Sequence, residues 1–250
     1  MNAVAIIQAR MGSTRLPGKV LRTLGTKSVL AHVVERVKRC SVIDAVVVAT
    51  TSREADDAVE EEARAHGAAV FRGSEEDVLD RYHGAARRFG ADTIVRITSD
   101  CPLLDASLTD AIVRRFLAAR DGLDYLSNTL VRTYPRGLDT EVFSFAALDA
   151  AQREAREPHQ REHVTPYIWE HPERFRVAQH TGTPDRSALR WTLDTEEDWR
   201  FLAAVFAAAG GAPGDTQALV ELLERRPELA AINAHVEQKR SGPGPRSVPR

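Results

Sequence analysis

The chain has 250 residues, of which 43% are hydrophobic and 28% charged, and no apolar run reaches the roughly 18 residues that a membrane span needs. The segment 1–7 lacks the basic region and cleavage site of a signal peptide, and 34 basic against 36 acidic side chains leave a net charge of -2, which argues against a general nucleic-acid binder. Two cysteines cannot make a disulfide scaffold, so the sequence predicts a cytoplasmic protein without membrane or nucleic-acid partners.

The first half of the chain alternates apolar runs with segments of helical periodicity. Continuous apolar runs predict buried strands at 3–7, 45–49, 68–71 and 92–98. Apolar residues at helical spacing predict helices over 28–40, 53–66 and 78–89. The alternation predicts an α/β fold with a doubly wound, mainly parallel, Rossmann-like sheet. Ligands of such sheets bind beyond the carboxyl ends of the strands, so the loops after Ile7, Thr51, Arg72 and Thr98 are the expected site.

The second half of the chain is less regular. Strand-like pieces lie at 123–127, 140–145, 175–180 and 188–193. Helical periodicity predicts helices over 107–120, 145–155, 159–170, 195–209 and 216–225. The Pro-, Gly- and Arg-rich segment 241–250 is predicted to be a disordered tail, which leaves 1–240 as one domain.

A cationic loop directly follows the first strand. The segment 8–19 holds Arg10, Arg15 and Lys19 together with two glycines. Glycines let backbone N–H groups approach an anion and the cations neutralise it, so this loop suits a triphosphate. It is not a Walker A loop, because Val20 follows the lysine where Ser or Thr would ligate magnesium, and it lacks the dinucleotide fingerprint. A solvated basic surface loop is the alternative.

Two aspartates follow strand-like segments. Asp100 ends the fourth strand, just before Pro102, and Asp194 precedes a predicted helix. Two carboxylates opposite a cationic loop are the hard oxygen ligands that a phosphate-bound Mg²⁺ needs, and such an ion stabilises charge during phosphoryl transfer. The alternatives are a turn aspartate at Asp100 and a helix N-cap at Asp194, with Glu197 completing a capping box.

Further polar residues lie in an apolar context. Asp139 and Glu141, two apart on a predicted strand, share one face, and Arg136 suits a carboxylate or phosphate. A hairpin turn with solvated charges is the alternative for the segment 134–143. Cys101 has no histidine–carboxylate partner pattern, so it is interpreted as a buried thiol rather than a nucleophile.

The loop resembles a known family. Ile-Gln-Ala-Arg at 7–10, with Ser13, Arg15 and Pro-Gly-Lys at 17–19, is similar to the opening signature of the CMP-sugar synthetases, the acylneuraminate and 3-deoxy-manno-octulosonate cytidylyltransferases. The resemblance covers roughly 1–239 and is strongest toward the branch of spore coat polysaccharide biosynthesis protein F. Asp100-x-Pro resembles the family's G-D-x-P motif, with Ser99 in place of the glycine. Leu-Asp-Thr-Glu-Glu-Asp at 193–198 resembles its late D-T-P-E-D segment, with glutamate in place of the proline.

The resemblance implies a role for each site residue. The CTP site would comprise Gln8, Ala9, Arg10, Gly12, Ser13, Arg15, Lys19, Arg72, Gly73, Ser74 and Ser99. The acceptor would meet Arg136, Asp139, Glu141 and His163. Asp100 and Asp194 would hold Mg²⁺ and, with Arg10 and Lys19, carry catalysis. The imidazole of His163 titrates near neutral pH and is a candidate general base.

The expected protein is therefore a magnesium-dependent nucleotidyltransferase that transfers CMP from CTP to a small sugar-like acceptor and releases pyrophosphate, in surface polysaccharide, related glycan or secondary metabolite biosynthesis. The resemblance also implies a fold of the nucleotide-diphospho-sugar transferase type, a small dimerisation and acceptor subregion, and a homodimer. The acceptor stays open, and the preference for cytosine depends on the resemblance alone.

Two other functions are weighed. His159-x-x-Glu162-His163 matches the inverted zinc-peptidase motif and, on a helix, would place both imidazoles on one face. A GT-A glycosyltransferase shares the sheet architecture but needs a D-x-D motif, and Pro102 stands where its second aspartate belongs.

Overall fold

The computed structural model describes residues 2–238, so the predicted disordered tail at 241–250 lies outside the described residues. The strands are β1 (Ala3–Gln8), β2 (Thr23–Leu24), β3 (Lys27–Ser28), β4 (Ala45–Thr51), β5 (Ala69–Gly73), β6 (Thr93–Thr98), β7 (Tyr125–Ser127), β8 (Glu141–Ser144) and β9 (Val177–Gln179). The helices are α1 (Val29–Val37), α2 (Asp57–Ala65), α3 (Val78–Arg88), α4 (Ala106–Ala119), α5 (Phe145–Glu154), α6 (Pro158–His163), α7 (Pro166–Trp169), α8 (Glu196–Ala208), α9 (Thr216–Arg225) and α10 (Pro227–Ala231). Short 3₁₀ turns lie at Lys19–Leu21, Glu54–Asp56 and Arg120–Gly122.

Seven of the strands form one sheet in the order β5-β4-β1-β6-β8-β7-β9. The first four run parallel to one another, β8 runs antiparallel to both of its neighbours, and β9 is parallel to β7. The short strands β2 and β3 pair as a separate hairpin. The predicted α/β fold with a mainly parallel sheet is confirmed.

Helices cover both faces of the sheet because its central strands are apolar on both sides. In β1, Val4 and Ile6 pack into the cluster that contains residues of α3, α5 and α7, whereas Ala5 and Ile7 pack into the cluster that contains residues of α1, α2 and α4. A third cluster, formed largely by α8, α9 and α10, is centred on large side chains such as Trp191. The sheet is therefore doubly wound, as its alternating sequence predicted.

The second half departs from the sequence prediction in two places. No strand forms at 188–193; the segment makes only a single parallel bridge, between Arg136 and Arg190. The predicted helix over 159–170 is divided into α6 and α7 at Val164, whose φ is 73°, and Pro166 begins the second piece. The positive φ of Val164 interrupts the helix, and the backbone of 188–193 bonds to the loop around Arg136 rather than to a strand along its full length.

The strand order places the expected site at the carboxyl edge of β1 and β6. The chain moves from β1 to β4 and β5 on one side, and then returns to β6 on the other side of β1. The loops after β1 and β6 therefore diverge and leave a crevice. Over residues 2–238, the structure has no helix long and apolar enough to cross a membrane.

Candidate active site

Lys19 is the centre of the candidate site. The loop after β1 brings its ammonium to the carboxyl end of β6, where Nζ donates hydrogen bonds to Asp100 Oδ2 (2.7 Å), Asp194 Oδ1 (2.9 Å) and the carbonyl oxygen of Leu193 (2.6 Å). The Lys19 side chain is only 12% exposed. The structure thus brings together the cationic loop, Asp100 after β6 and Asp194 before α8, which lie far apart in the sequence.

The charges of this cluster stabilise one another. Burial alone would lower the pKa of Lys19, but the Asp100 and Asp194 carboxylates raise it to about 12. Burial alone would raise the pKa of Asp100, but the Lys19 ammonium lowers it to about 2. Lys19 and Asp100 are therefore both ionised across the physiological pH range.

Backbone hydrogen bonds connect the two segments that carry the aspartates. The Leu193 N–H donates to the Asp100 carbonyl oxygen at 2.9 Å, and the Thr192 hydroxyl donates to the same oxygen at 3.3 Å. These bonds fix the separation of the two carboxylates independently of any charge between them.

Asp194 also forms ion pairs with two arginines. Its carboxylate lies 3.2 Å from a guanidinium nitrogen of Arg15, in the predicted phosphate loop, and 3.2 Å from one of Arg190. The helix cap predicted here is wrong in its residues: Thr195 caps α8 and forms a capping box with Asp198, rather than Asp194 with Glu197. Asp194 is consequently free of the capping role that competed with metal binding.

Asp198 is a buried support that sequence reasoning missed. It is 0% exposed, and its carboxylate accepts from Arg190 Nε and a terminal Arg190 nitrogen (2.8 Å each) and from Asn233 Nδ2 (2.9 Å). It also accepts from the backbone N–H groups of Asp194 (2.9 Å) and Thr195 (3.0 Å). The available signal was Arg190, Asp194 and Asp198 at four-residue intervals.

The rest of the cationic loop is partly exposed to solvent. Gly18 has a φ of 68°, in the left-handed region that favours glycine, and allows the turn into Lys19. The Met11 N–H donates to the buried Asp56 carboxylate at 2.6 Å, which ties the loop to the chain after β4. Ser13 Oγ accepts from the Leu16 N–H at 3.3 Å.

The other predicted nucleotide contacts lie on both sides of this loop. Ala9 and Ser99 are buried at the ends of β1 and β6, and the Ser99 N–H donates to the Gln8 carbonyl oxygen at 3.2 Å. Arg10 is partly exposed, with its nearest carboxylate, Glu75, at 3.9 Å. Gly12 also faces Glu75, since a Cβ built there would lie 3.5 Å from its Oε1. Arg10 therefore retains donors for an anion.

Arg72 turns toward α2. Its Nε donates to the Thr51 carbonyl oxygen at 2.8 Å, and one terminal nitrogen, Nη1, contacts both Asp57 and Glu60. Its side chain is thus held by carboxylates and gives no direct support for a nucleotide contact. Ser74 Oγ accepts from the Asp77 N–H at 3.0 Å, and Asp77 is the N-cap of α3.

Gly73 is in a crowded position, where only glycine fits without a shift. A Cβ there would lie 3.0 Å from the Phe71 ring and 3.2 Å from Arg81 Cγ. Arg81 is 2% exposed, and its guanidinium donates to the Ser74 carbonyl oxygen. A buried arginine, Arg81, therefore supports the loop after β5, and its role was not predicted from the sequence.

On the acceptor side, Arg136 is the available cation. Within residues 2–238 its guanidinium group has no ion pair and no hydrogen bond, while burial and the neighbouring Arg132 lower its pKa. Asp139 is bound by both terminal nitrogens of Arg132, at 2.6 and 2.9 Å. Gly137 has a φ of 106° and lies so close to the Trp191 backbone that a Cβ would be 2.6 Å from it, which joins this loop to the Asp194 segment.

Glu141 belongs to a buried network rather than an open surface. It is 6% exposed and accepts from the hydroxyls of Tyr125 (2.6 Å) and Thr165 (2.7 Å) and from Arg96. Arg96 in turn donates to the Gln8 side chain at 3.1 Å. A charged residue in the middle of an apolar strand was the signal for Arg96, whose role was not predicted.

His163 stands beside this network. Burial lowers its pKa, and its charge interacts with Arg96 and Glu141. The next residue, Val164, has φ 73° and ψ -56°, and the Thr165 N–H donates to the His163 carbonyl oxygen at 2.9 Å. This is a strained γ-turn, rare for a β-branched residue, and strain of this kind clusters at functional sites.

Two competing interpretations receive no support. Cys101 is buried, and burial with the adjacent Asp100 raises the pKa of its thiol well above the usual range, contrary to what a nucleophile needs. The His159 ring pairs with Glu170 at 2.8 Å. Across residues 2–238, no group of three or more His, Cys, Asp or Glu residues could hold a metal ion, so the zinc-peptidase hypothesis lacks a third ligand.

The chemistry of Asp100 and Asp194 does fit a phosphate-bound Mg²⁺. Both supply hard carboxylate oxygens within reach of one cation, Lys19 Nζ. Mg²⁺ commonly takes one or two carboxylates and completes its shell with water and substrate phosphates, so a third protein ligand is not required.

The chain matches known proteins over most of its length. Residues 4–199 match the family model described as cytidylyltransferase. The chain is 39% identical over 234 residues to spore coat polysaccharide biosynthesis protein SpsF of Bacillus subtilis, covering 90% of this chain and 95% of that protein. Among solved structures, a cytidylyltransferase from Leptospira borgpetersenii has a TM-score of 0.89 at 37% identity, covering 92% of this chain and 97% of that one. A CMP-2-keto-3-deoxy-manno-octonic acid synthetase complexed with CTP shares the fold, with a TM-score of 0.63 at 20% identity and coverage of 83% and 99%.

Proposed function

This chain belongs to the cytidylyltransferase family and is a nucleotidyltransferase, and on that premise we propose that it transfers CMP from CTP to a sugar-like acceptor with release of pyrophosphate. The observation that carries the proposal is the contact of Lys19, at the end of the cationic loop, with both Asp100 and Asp194. A GT-A glycosyltransferase is the weaker alternative, because Pro102 replaces its second aspartate and the family match favours nucleotidyl transfer.

In this proposal the cationic loop binds the triphosphate. Arg10 and Arg15 are both about 40% exposed and present guanidinium groups to the β- and γ-phosphates, with backbone N–H groups of the loop beside them. Asp100 and Asp194 would hold a Mg²⁺ ion, which, when bound, neutralises charge on the phosphates. The rigid pairing of the two aspartate segments positions the α-phosphorus for in-line attack.

The acceptor would lie between Arg136 and His163. The unpaired guanidinium of Arg136 suits an anionic group of the acceptor. Arg132 holds Asp139 in a fixed orientation, in which its carboxylate would meet hydroxyl groups of the acceptor. The depressed pKa of His163 keeps its imidazole neutral near pH 7, which a general base requires. Glu141 acts by orienting Arg96 and Thr165, since its oxygens are already bonded.

The biological setting is proposed from the relatives. A part in polysaccharide or related glycan biosynthesis follows from the printed name of the Bacillus subtilis relative. We also propose a homodimer, from the family resemblance, and a cytoplasmic location, from the cysteine content of the sequence.

The test is a pyrophosphate-release assay with each of the four ribonucleoside triphosphates against keto-acid sugars, sugar phosphates and phosphonates, with and without Mg²⁺. We expect release only with CTP, a divalent ion and one acceptor class. If none of the four triphosphates supports pyrophosphate release, the proposal is overturned. Equal release with all four would remove the cytidine preference.

A further inference from the structure

The position of Lys19 conflicts with a direct role in phosphate binding. An ammonium has three N–H donors, and those of Lys19 are used by Asp100, Asp194 and the Leu193 carbonyl, at 2.6 to 2.9 Å. With 12% of its side chain exposed, it has no donor left for a phosphate in this arrangement.

The same ammonium lies between the carboxylates proposed as metal ligands. Two partly buried carboxylates that face one point, with side chains 22% and 13% exposed, favour a cation there because like charges at short distance repel each other. Arg190 cannot supply that cation, because its Nε and one terminal nitrogen are held by Asp198. It contacts Asp194 at Oδ2, whereas Lys19 contacts Oδ1. Lysine, a point charge on a flexible stem, is suited to leave and return.

We propose that the Lys19 ammonium takes the place of the divalent cation between Asp100 and Asp194, and that it leaves when ion and nucleotide bind together. The inference rests on the proposed function, since it takes both aspartates as metal ligands. The released ammonium then reaches the phosphates, so a single side chain serves the protein in both states.

The exchange has a thermodynamic consequence. A divalent ion alone must displace a hydrogen-bonded ammonium that then has no partner, so the nucleotide-free protein binds the ion weakly. A triphosphate supplies the displaced ammonium with new acceptors. Ion and nucleotide therefore strengthen each other's binding by the same factor.

The test measures binding of Mn²⁺ alone, from the loss of the free-ion EPR signal, with no nucleotide present. We expect Lys19→Met to bind Mn²⁺ at least about tenfold more tightly than wild type. The ion no longer has to break the hydrogen bonds of the ammonium, and one hydrogen bond between charged groups corresponds to more than a tenfold change in affinity. Adding Asp100→Asn to Lys19→Met should abolish the gain. Equal affinity in wild type and Lys19→Met would overturn the proposal.

Arg15→Met is the matched control for general electrostatics. Arg15 also lies near Asp194, at 3.2 Å, but it is 41% exposed and makes no contact with Asp100. Its removal should change Mn²⁺ affinity by less than about threefold, as expected of a screened surface pair. A gain equal to that of Lys19→Met would show a general effect of charge and overturn the inference.

A second measurement uses wild-type protein, in case Lys19→Met does not fold. NMR of ¹⁵N-lysine should show a Lys19 ammonium signal whose chemical shift changes when Mg²⁺ and CTP are added together, because its acceptors change from carboxylates to phosphates. An unchanged chemical shift would overturn the exchange. If CTP turnover is metal-dependent but either measurement contradicts the exchange, the proposed function stands and only this inference is wrong. If Asp100→Asn leaves the metal dependence of turnover intact, the proposed metal ligands themselves are wrong.

Discussion

Asp198 offers the most direct test of how the site is supported, and the perturbation is Asp198→Asn. The substitution keeps the shape of the side chain but turns one carboxylate oxygen into an N–H₂ donor. Asp198 accepts five hydrogen bonds, two at Oδ1 and three at Oδ2. Whichever oxygen is replaced, the variant loses at least two of them and directs a donor at another donor.

The expected loss of unfolding free energy is about 3 kcal/mol, the lower end of the range for breaking a buried ion pair. The lower end applies because Arg190 keeps its contact with Asp194 at 3.2 Å and is therefore not left wholly uncompensated. The measurement is urea unfolding followed by tryptophan fluorescence, to which Trp191, 1% exposed beside Arg190, contributes.

The matched control is Glu196→Gln, two residues away on the same helix. Glu196 is 52% exposed and pairs with Arg22 at 3.0 Å, so its loss should cost less than about 1 kcal/mol. An Asp198→Asn loss of no more than that would refute the view that this carboxylate supports the site.

The pH dependence of the same comparison has a defined sign. Burial opposes ionisation of Asp198, but its hydrogen bonds from Arg190 and Asn233 lower the pKa below the ordinary value. A carboxyl with a depressed pKa contributes stability above its unfolded pKa of about 3.9 and loses it as the pH falls. The difference between wild type and variant should be full at pH 7 and shrink below about pH 4.

Three further predictions concern the site. Asp100→Asn should lower Mg²⁺-dependent pyrophosphate release by about 100-fold or more, comparable to the loss of a transition-state donor, and full activity would remove this residue from the site. Arg136→Met should raise KM for the acceptor about tenfold or more, as the loss of a charge-assisted bond predicts, with KM for CTP unchanged; a shift confined to CTP would contradict the acceptor assignment. Burial raises the thiol pKa of Cys40 to about 12 and that of Cys101 well above its usual range. Mass spectrometry should therefore find both thiols unlabelled by iodoacetamide at pH 8 until the protein is unfolded. Rapid labelling of Cys101 in the folded protein would support the nucleophile hypothesis instead.

The parts of the fold that could be predicted are those encoded locally. Strands such as β1 and β4 are continuous apolar runs, and the helices between them carry a clear periodicity. The segment 188–193 has the same apolar character but was wrongly assigned as a strand. Its backbone groups bond to the loop around Arg136, a partner more than fifty residues away that no local pattern reveals.

The site was predictable where one segment carries several cues, as in the loop that ends at Lys19. It was not predictable where a residue acts through a distant partner. Arg96 is a charge within an apolar strand, but its partner Glu141 lies 45 residues away, and Arg132, which orients Asp139, has the appearance of an ordinary surface charge in the sequence. Arg72 shows the converse, because its position after a strand suggested a ligand contact and its side chain instead binds α2.

The hydrogen bonds from Asn233 have a consequence for folding. Asn233 is 2% exposed and donates both to the Arg190 carbonyl oxygen and to Asp198, which holds the N–H of Asp194. The folded support of Asp194, the second proposed metal ligand, is therefore complete only once Asn233 has docked against Asp198 at the start of α8, although the parallel half of the sheet lies wholly within the first hundred residues.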